Sequence, residues 1–338
     1  QKAFTELTAA RETRDRLLDA IAEIMVMREL PEPRDTFVLG RGVYDQHQER
    51  VTAATPATLP PMDDNEPRNR LGLAHWLTRD DHPLTARVAV NRYWQLLFGR
   101  GLVKSTEDFG NQGTPPSHPE LLDWLARGFI DSGWNVKGLL KTMVLSQAYQ
   151  RDSDAVGDSR ERDPENIWLA RGPIAPLTAE MIRDSALAGS GLLSAKIGGP
   201  PARPYELAVA FKPVTPDHGE GLYRRSLYTY WKRTSPAPVM LVLDASTRDV
   251  CSVRRERTSS PLQAMVLLNG PQYVEAAQGA AAQVVEELGP DAAPEKRVTR
   301  IFQLLTSRTP TRLEASILTR LYHEQMQVFS DDKNAVGE

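Results

Sequence analysis

The chain has 338 residues, is 41% hydrophobic and 25% charged, and carries a formal net charge of −3 at pH 7. Length and composition describe a globular protein of one large domain or two ordinary ones and exclude a disordered chain. The weak acidity provides no global field toward nucleic acid or a membrane surface. The single cysteine, Cys251, excludes an internal disulfide, a Cys-rich zinc site and a CxxCH haem attachment within this chain.

No apolar run approaches the roughly 18 residues that suggest a membrane-crossing helix, and no signal peptide is visible. The chain begins at Gln1 and enters an amphipathic pattern at once, as expected for the C-terminal part of a longer polypeptide. Phe4, Leu7, Leu17, Leu18, Ile21, Ile24 and Met25 recur at helical spacing and predict one helix over 2–29, ended by Pro31 and Pro33. Thr36-Phe37-Val38-Leu39 reads as a short strand, and the stretch after Tyr44 as an extended, Pro-punctuated loop holding His47.

A short helix is expected from Arg70 to Thr78 and a longer one over 83–98, with Asp80 and Asp81 as caps before His82-Pro83. On the longer helix Arg87, Asn91 and Gln95 share one face, beside Arg92. Asparagine competes for backbone hydrogen bonds in a helix interior, so Asn91 hints at a tertiary partner. A Gly- and Pro-shaped loop over 104–117 follows, and Ser117-His118-Pro119-Glu120 reads as a capping box.

Helices are expected to about Ser132, over 136–149 and over 178–192, with a polar surface loop at 151–165 and an irregular run over 194–221. Leu227 to Trp231 and Val239 to Leu243 have strand composition, so a small β ribbon is expected from 36–44, 226–231 and 239–243. Segment 223–257 holds eight basic side chains against three acidic ones. Four more helices close the chain, over 261–268, 271–288, 294–306 and 312–328. The expected fold class is mainly α: a multi-helical globular domain with a small β ribbon and long shaped loops.

Three side chains are candidates for catalysis. His82 and His118 both stand in His-Pro contexts at helix starts, and Asp108 opens the Asp108-Phe109-Gly110 triplet between them. Two imidazoles and a carboxylate could bind a metal or move protons; the simpler reading is that each imidazole caps its helix or bonds a loop carbonyl. Their spacing is no metal signature, and no metal is assigned. Arg87, Asn91, Arg92, Arg254, Arg255 and Arg257 are the candidate ligand-binding residues. The cluster from 248 to 257 has three readings: an anionic ligand, an acidic partner domain, or separate internal ion pairs. In any regular element Arg254 and Arg255 point to different sides, so one site for both requires an irregular backbone.

Five segments together resemble one family: FVLGRGVYDQ (37–46), LAHWLTRDDHPLTARVAVNRYWQLLFGRGLV (73–103), EDFGNQGTPPSHPELLDWLA (107–126), RRSLYTYWKR (224–233) and DVCSVRRERTSSPLQAMVLLNGPQYVEAA (249–277). The family is the planctomycete PSD1 domain, DUF1553. Gln46-His47-Gln48 departs from the Pro-Gly turn more usual there, which makes His47 a poor candidate for a shared role. The resemblance implies a core over 36–277, a helix over 1–35 continuing from an upstream domain, and C-terminal helices over 278–338 packed on the core. It further implies an exported protein of the periplasm or cell envelope, with haem in an upstream cytochrome-c-like domain and none in this chain. The expected function is an accessory or interaction domain for an anionic glycan or a partner domain. The alternative is a redox-linked or hydrolytic enzyme domain acting on polysaccharide or a small organic substrate.

Overall fold

A computed structural model describes residues 2–21, 24–154, 157–204, 215–233 and 235–331. The described elements are mainly helical: α1 (Lys2–Asp19), β1 (Thr36–Leu39), β2 (His47–Val51), α2 (Arg70–Leu77), α3 (Thr85–Phe98), α4 (Pro119–Asp131), α5 (Val136–Val144), α6 (Ser159–Arg162), α7 (Ala179–Gly189), α8 (Pro238–Val242), α9 (Pro261–Asn269), α10 (Pro271–Leu288), α11 (Pro294–Thr306) and α12 (Arg312–Asp331). Among the described residues no helix is long and apolar enough to cross a membrane. The chain divides into two compact units, residues 1–90 with 120–139, and 91–119 with 140–338.

In the first unit β1 and β2 pair antiparallel, Thr36 opposite Val51 and Phe37 opposite Arg50, with an irregularity before Leu39 meets His47. His47, expected in a loop, stacks on the Phe37 ring with centroids 4.6 Å apart. Helix α1 stops at Asp19 and buries none of its residues. The expected helix over 2–29 is therefore too long, and its positions 22–23 lie outside the described residues. The apolar residues beyond the end of α1 are exposed like those along it: Ile24 and Met27 are 81% and 85% exposed, Phe4 and Leu17 73% and 66%. The buried apolar residues of this unit include Trp76, Val90, Leu122, Leu125 and Phe129. The Trp76 indole donates to the Pro60 carbonyl at 2.7 Å, fixing the proline-rich segment against α2.

In the second unit α10 packs against α7, α9 and α11, and α11 against α12. Pro271 occupies the first turn of α10, and Tyr273, Ala276, Ala280 and Val284 form its buried stripe at steps of three and four. Ala179, Ala237, Met240, Leu243, Ala245 and Tyr273 form a core cluster.

The expected ribbon strands at 226–231 and 239–243 do not form. Ser226–Tyr228 is a 3-10 turn, and Pro238–Val242 is α8, with Pro238 in its first turn and Met240 fully buried. A short apolar run has the same composition whether it is strand or buried helix, and the proline position decides for helix. The helix expected over 136–149 ends at Val144. The expected polar loop over 151–165 contains α6 and the buried Asp163, while its positions 155–156 lie outside the described residues. Positions 205–214 of the expected irregular run also lie outside them.

Candidate functional site

The three candidate catalytic side chains each serve a local bond. His82 is 7% exposed and caps α3: its Nδ1 accepts from the amides of Leu84 and Thr85 at 3.3 and 3.2 Å. Asp81, the expected cap, is spent on a two-pronged pair with Arg79 at 2.9 and 2.8 Å. An imidazole nitrogen that accepts two amides carries no proton, so the proton sits on Nε2, which is buried without a hydrogen-bond partner among the described residues.

Burial holds the His82 pKa below its ordinary value, with Asp81 opposing and Arg79 adding to the shift. A depressed pKa means that the unfolded chain binds the proton more tightly, so the cap's contribution is complete above about pH 6.5 and fades as the pH falls through the folded value. We therefore expect wild type to lose more stability than His82→Asn as the pH falls below about 6.5, because asparagine caps without titrating. Parallel pH curves in thermal unfolding of the two proteins would contradict this.

His118 Nδ1 lies 3.0 Å from the Ser117 hydroxyl, and its ring meets the edge of Trp168 at 6.1 Å. The Ser117 hydroxyl donates to the Leu102 carbonyl at 3.2 Å, where the expected capping box would have it accept from a first-turn amide. Asp108 Oδ1 accepts from the Gly110 amide at 2.7 Å, and its carbonyl accepts from the Ser105 hydroxyl at 2.8 Å. Gly113 completes that loop, because a side-chain carbon there would stand 2.2 Å from the Asp108 carbonyl oxygen. Among the described residues no group of three or more His, Cys, Asp or Glu is placed to hold a metal ion.

Two of the six candidate ligand-binding residues are also structural. Arg87 donates to Asp123 and to the Pro83 carbonyl, both at 2.6 Å. Asn91 is fully buried and bonds both main-chain groups of Val103.

The other four come together. Arg92, Arg254, Arg255 and Arg257 line one groove of about 1410 Å³ in the second unit. Arg225 and Arg248 also line it, against the carboxylates of Glu180, Asp184, Asp244 and Glu256. Arg255 pairs with Glu180 at 2.6 Å. Burial raises the Glu180 pKa, but the Arg255 bond, its own amide and Arg248 outweigh this and leave it lowered. Asp244 accepts from the Thr258 amide at 2.7 Å and from Gln263, and Asp184 accepts from the Ser226 amide at 2.8 Å. Arg248 stacks over the Trp231 ring, 4.7 Å from its centroid. The side chains of Arg92, Arg225, Arg254 and Arg257 have no hydrogen-bond or ion-pair partner among the described residues, nor has Glu256, so unpaired guanidinium groups outnumber the one unpaired carboxylate in the groove.

Irregular backbone makes this possible. Residues 249–257 lie in no helix or strand, which lets the neighbours Arg254 and Arg255 reach one site. The groove's apolar part comes from Leu96 of α3, Leu177, Met181 of α7, Leu227 and Leu267 of α9. Sequence reasoning counted Arg225 in the basic segment 223–257 without making it a ligand candidate, and did not single out Glu180 or this apolar lining. Only the packing reveals it: Met181 stands exposed on α7 while Ala179, Arg183 and Leu187 form its buried face.

A family model, PSD1, described as "Protein of unknown function (DUF1553)", matches residues 69–322. No curated protein and no solved structure matches the chain.

Proposed function

The chain belongs to the PSD1 (DUF1553) family, and from that premise we propose that it is an interaction domain whose second unit binds an anionic ligand in the arginine-lined groove. One observation carries this reading: the side chains of Arg92, Arg225, Arg254 and Arg257 line a common groove without partners among the described residues. Guanidinium groups match carboxylate, sulfate and phosphate geometry, and arginines left unpaired in a concavity are available to such groups. His82, Asp108 and His118 are each engaged in local structure, and we propose no reaction. Export to the cell envelope and a haem-bearing companion domain belong to the same proposal and rest on the family resemblance alone.

Calorimetric titration tests the groove. Wild type and Arg254→Gln/Arg257→Gln are compared against an oligoaspartate and a sulfated oligosaccharide. The double variant should bind the preferred anion at least about tenfold more weakly, a loss of about 1.4 kcal/mol. It should unfold at an unchanged temperature, because neither side chain has a partner among the described residues. Equal affinity in both proteins, or no binding of either anion, would overturn the proposal.

A further inference from the structure

We infer that the groove's ligand is an extended polypeptide segment of a partner protein, in which acidic side chains alternate with aliphatic ones. This rests on the reading of the groove as an anion site and adds the ligand's body to its charge.

The first observation is the lining beneath the arginines. Leu96, Leu177, Met181, Leu227 and Leu267 are 36% exposed or more, and all line the groove. No aromatic side chain lines it among the described residues. Aromatic faces suit planar or ring-shaped ligands, whereas aliphatic surface is best covered by aliphatic side chains. A highly charged sugar would leave this surface wet.

The second observation is the groove's irregular wall. From 249 to 257 no main-chain amide or carbonyl has a hydrogen-bond partner among the described residues, and Ser252 to Arg257 line the groove. An extended peptide supplies donors and acceptors that such a wall can pair with, as in strand addition. Alternation in the peptide then presents carboxylates to one side and aliphatic groups to the other. The third observation is size: about 1410 Å³ exceeds the roughly 300–1,000 Å³ of small-molecule pockets. Charge complementarity selects the partner, since six arginines line the groove against four carboxylates and four of those arginines have unpaired side chains among the described residues.

The test uses the full chain and three probes of equal charge: an octapeptide alternating Asp and Leu, one alternating Asp and Ser, and a sulfated oligosaccharide. Covering even one leucine corresponds to about a tenfold gain. The Asp-Leu peptide should therefore bind at least about tenfold tighter than the other two. Met181→Ser/Leu227→Ser should bring it to the level of the Asp-Ser peptide without changing Asp-Ser binding, and both positions are exposed enough to leave folding intact. An Asp-Ser peptide binding as tightly as the Asp-Leu peptide, or a tighter sulfated oligosaccharide, would overturn the peptide assignment while leaving the anion groove standing. Failure of all three probes would overturn both.

Discussion

Replacing Arg183 with leucine is expected to destabilise the protein by about 3–5 kcal/mol, a large part of the roughly 5–15 kcal/mol that holds a typical domain folded. Arg183 is 1% exposed on α7. Its Nε donates to Gln272 at 2.8 Å, Nη1 to the Arg224 carbonyl at 2.8 Å and Ser226 at 3.2 Å, and Nη2 to the Leu222 carbonyl at 2.6 Å. One planar group thus ties α7 to α10 and to the turns at 222–226, with the Asp184 carboxylate 3.6 Å away. Leucine leaves those carbonyls buried and unpaired, which costs more than the bonds themselves contribute. Arg183→Lys should recover less than half of the loss, because an ammonium cannot reproduce the fork. Urea unfolding of the three proteins measures it, and a loss below about 1 kcal/mol for leucine would contradict the assignment.

Asn91→Ala is expected to cost about 2–3 kcal/mol. The side-chain amide donates to the Val103 carbonyl at 3.1 Å and accepts from the Val103 amide at 2.9 Å. It joins α3 to the chain that returns after Gly101. Glycine is required at that return, because a side-chain carbon there would stand 2.5 Å from the Val103 carbonyl oxygen and 2.8 Å from Asn91 Nδ2. Asn91→Asp keeps the acceptor but turns a carboxylate oxygen toward the Val103 carbonyl, so it should be no better than alanine. Urea midpoints measure the loss, and hydrogen exchange at the Val103 amide reports the same bond locally. A stable Asn91→Ala with a protected Val103 amide would show that the bond contributes little.

Local grammar explains which elements were readable. Helices α9 to α12 carry proline in the first turn, a capping box or a glycine stop, and they form close to where those signals stand. Asn91 was readable as a residue with a tertiary partner because mid-helix asparagine needs a reason. At His82 the same motif offered two caps; Arg79 takes Asp81 and leaves the imidazole to the amides. Helix α8 was unreadable because five residues show no period. The groove was half-readable. Its arginines were visible as a cluster, but Arg92, Glu180 and Arg225 meet that cluster only through the packing of distant segments.

The groove stands or falls on where a bound anion touches the chain. Amide hydrogen exchange of the full chain, with and without the octapeptide alternating Asp and Leu, locates that contact. The amides at 249–257 have no partner among the described residues and should exchange fast in the free protein. Bound peptide should slow exchange there and in the exposed turn before α7, and leave α11 and α12 unchanged. Protection confined to α11 and α12, or the same pattern in Arg254→Gln/Arg257→Gln, would contradict the groove as the site.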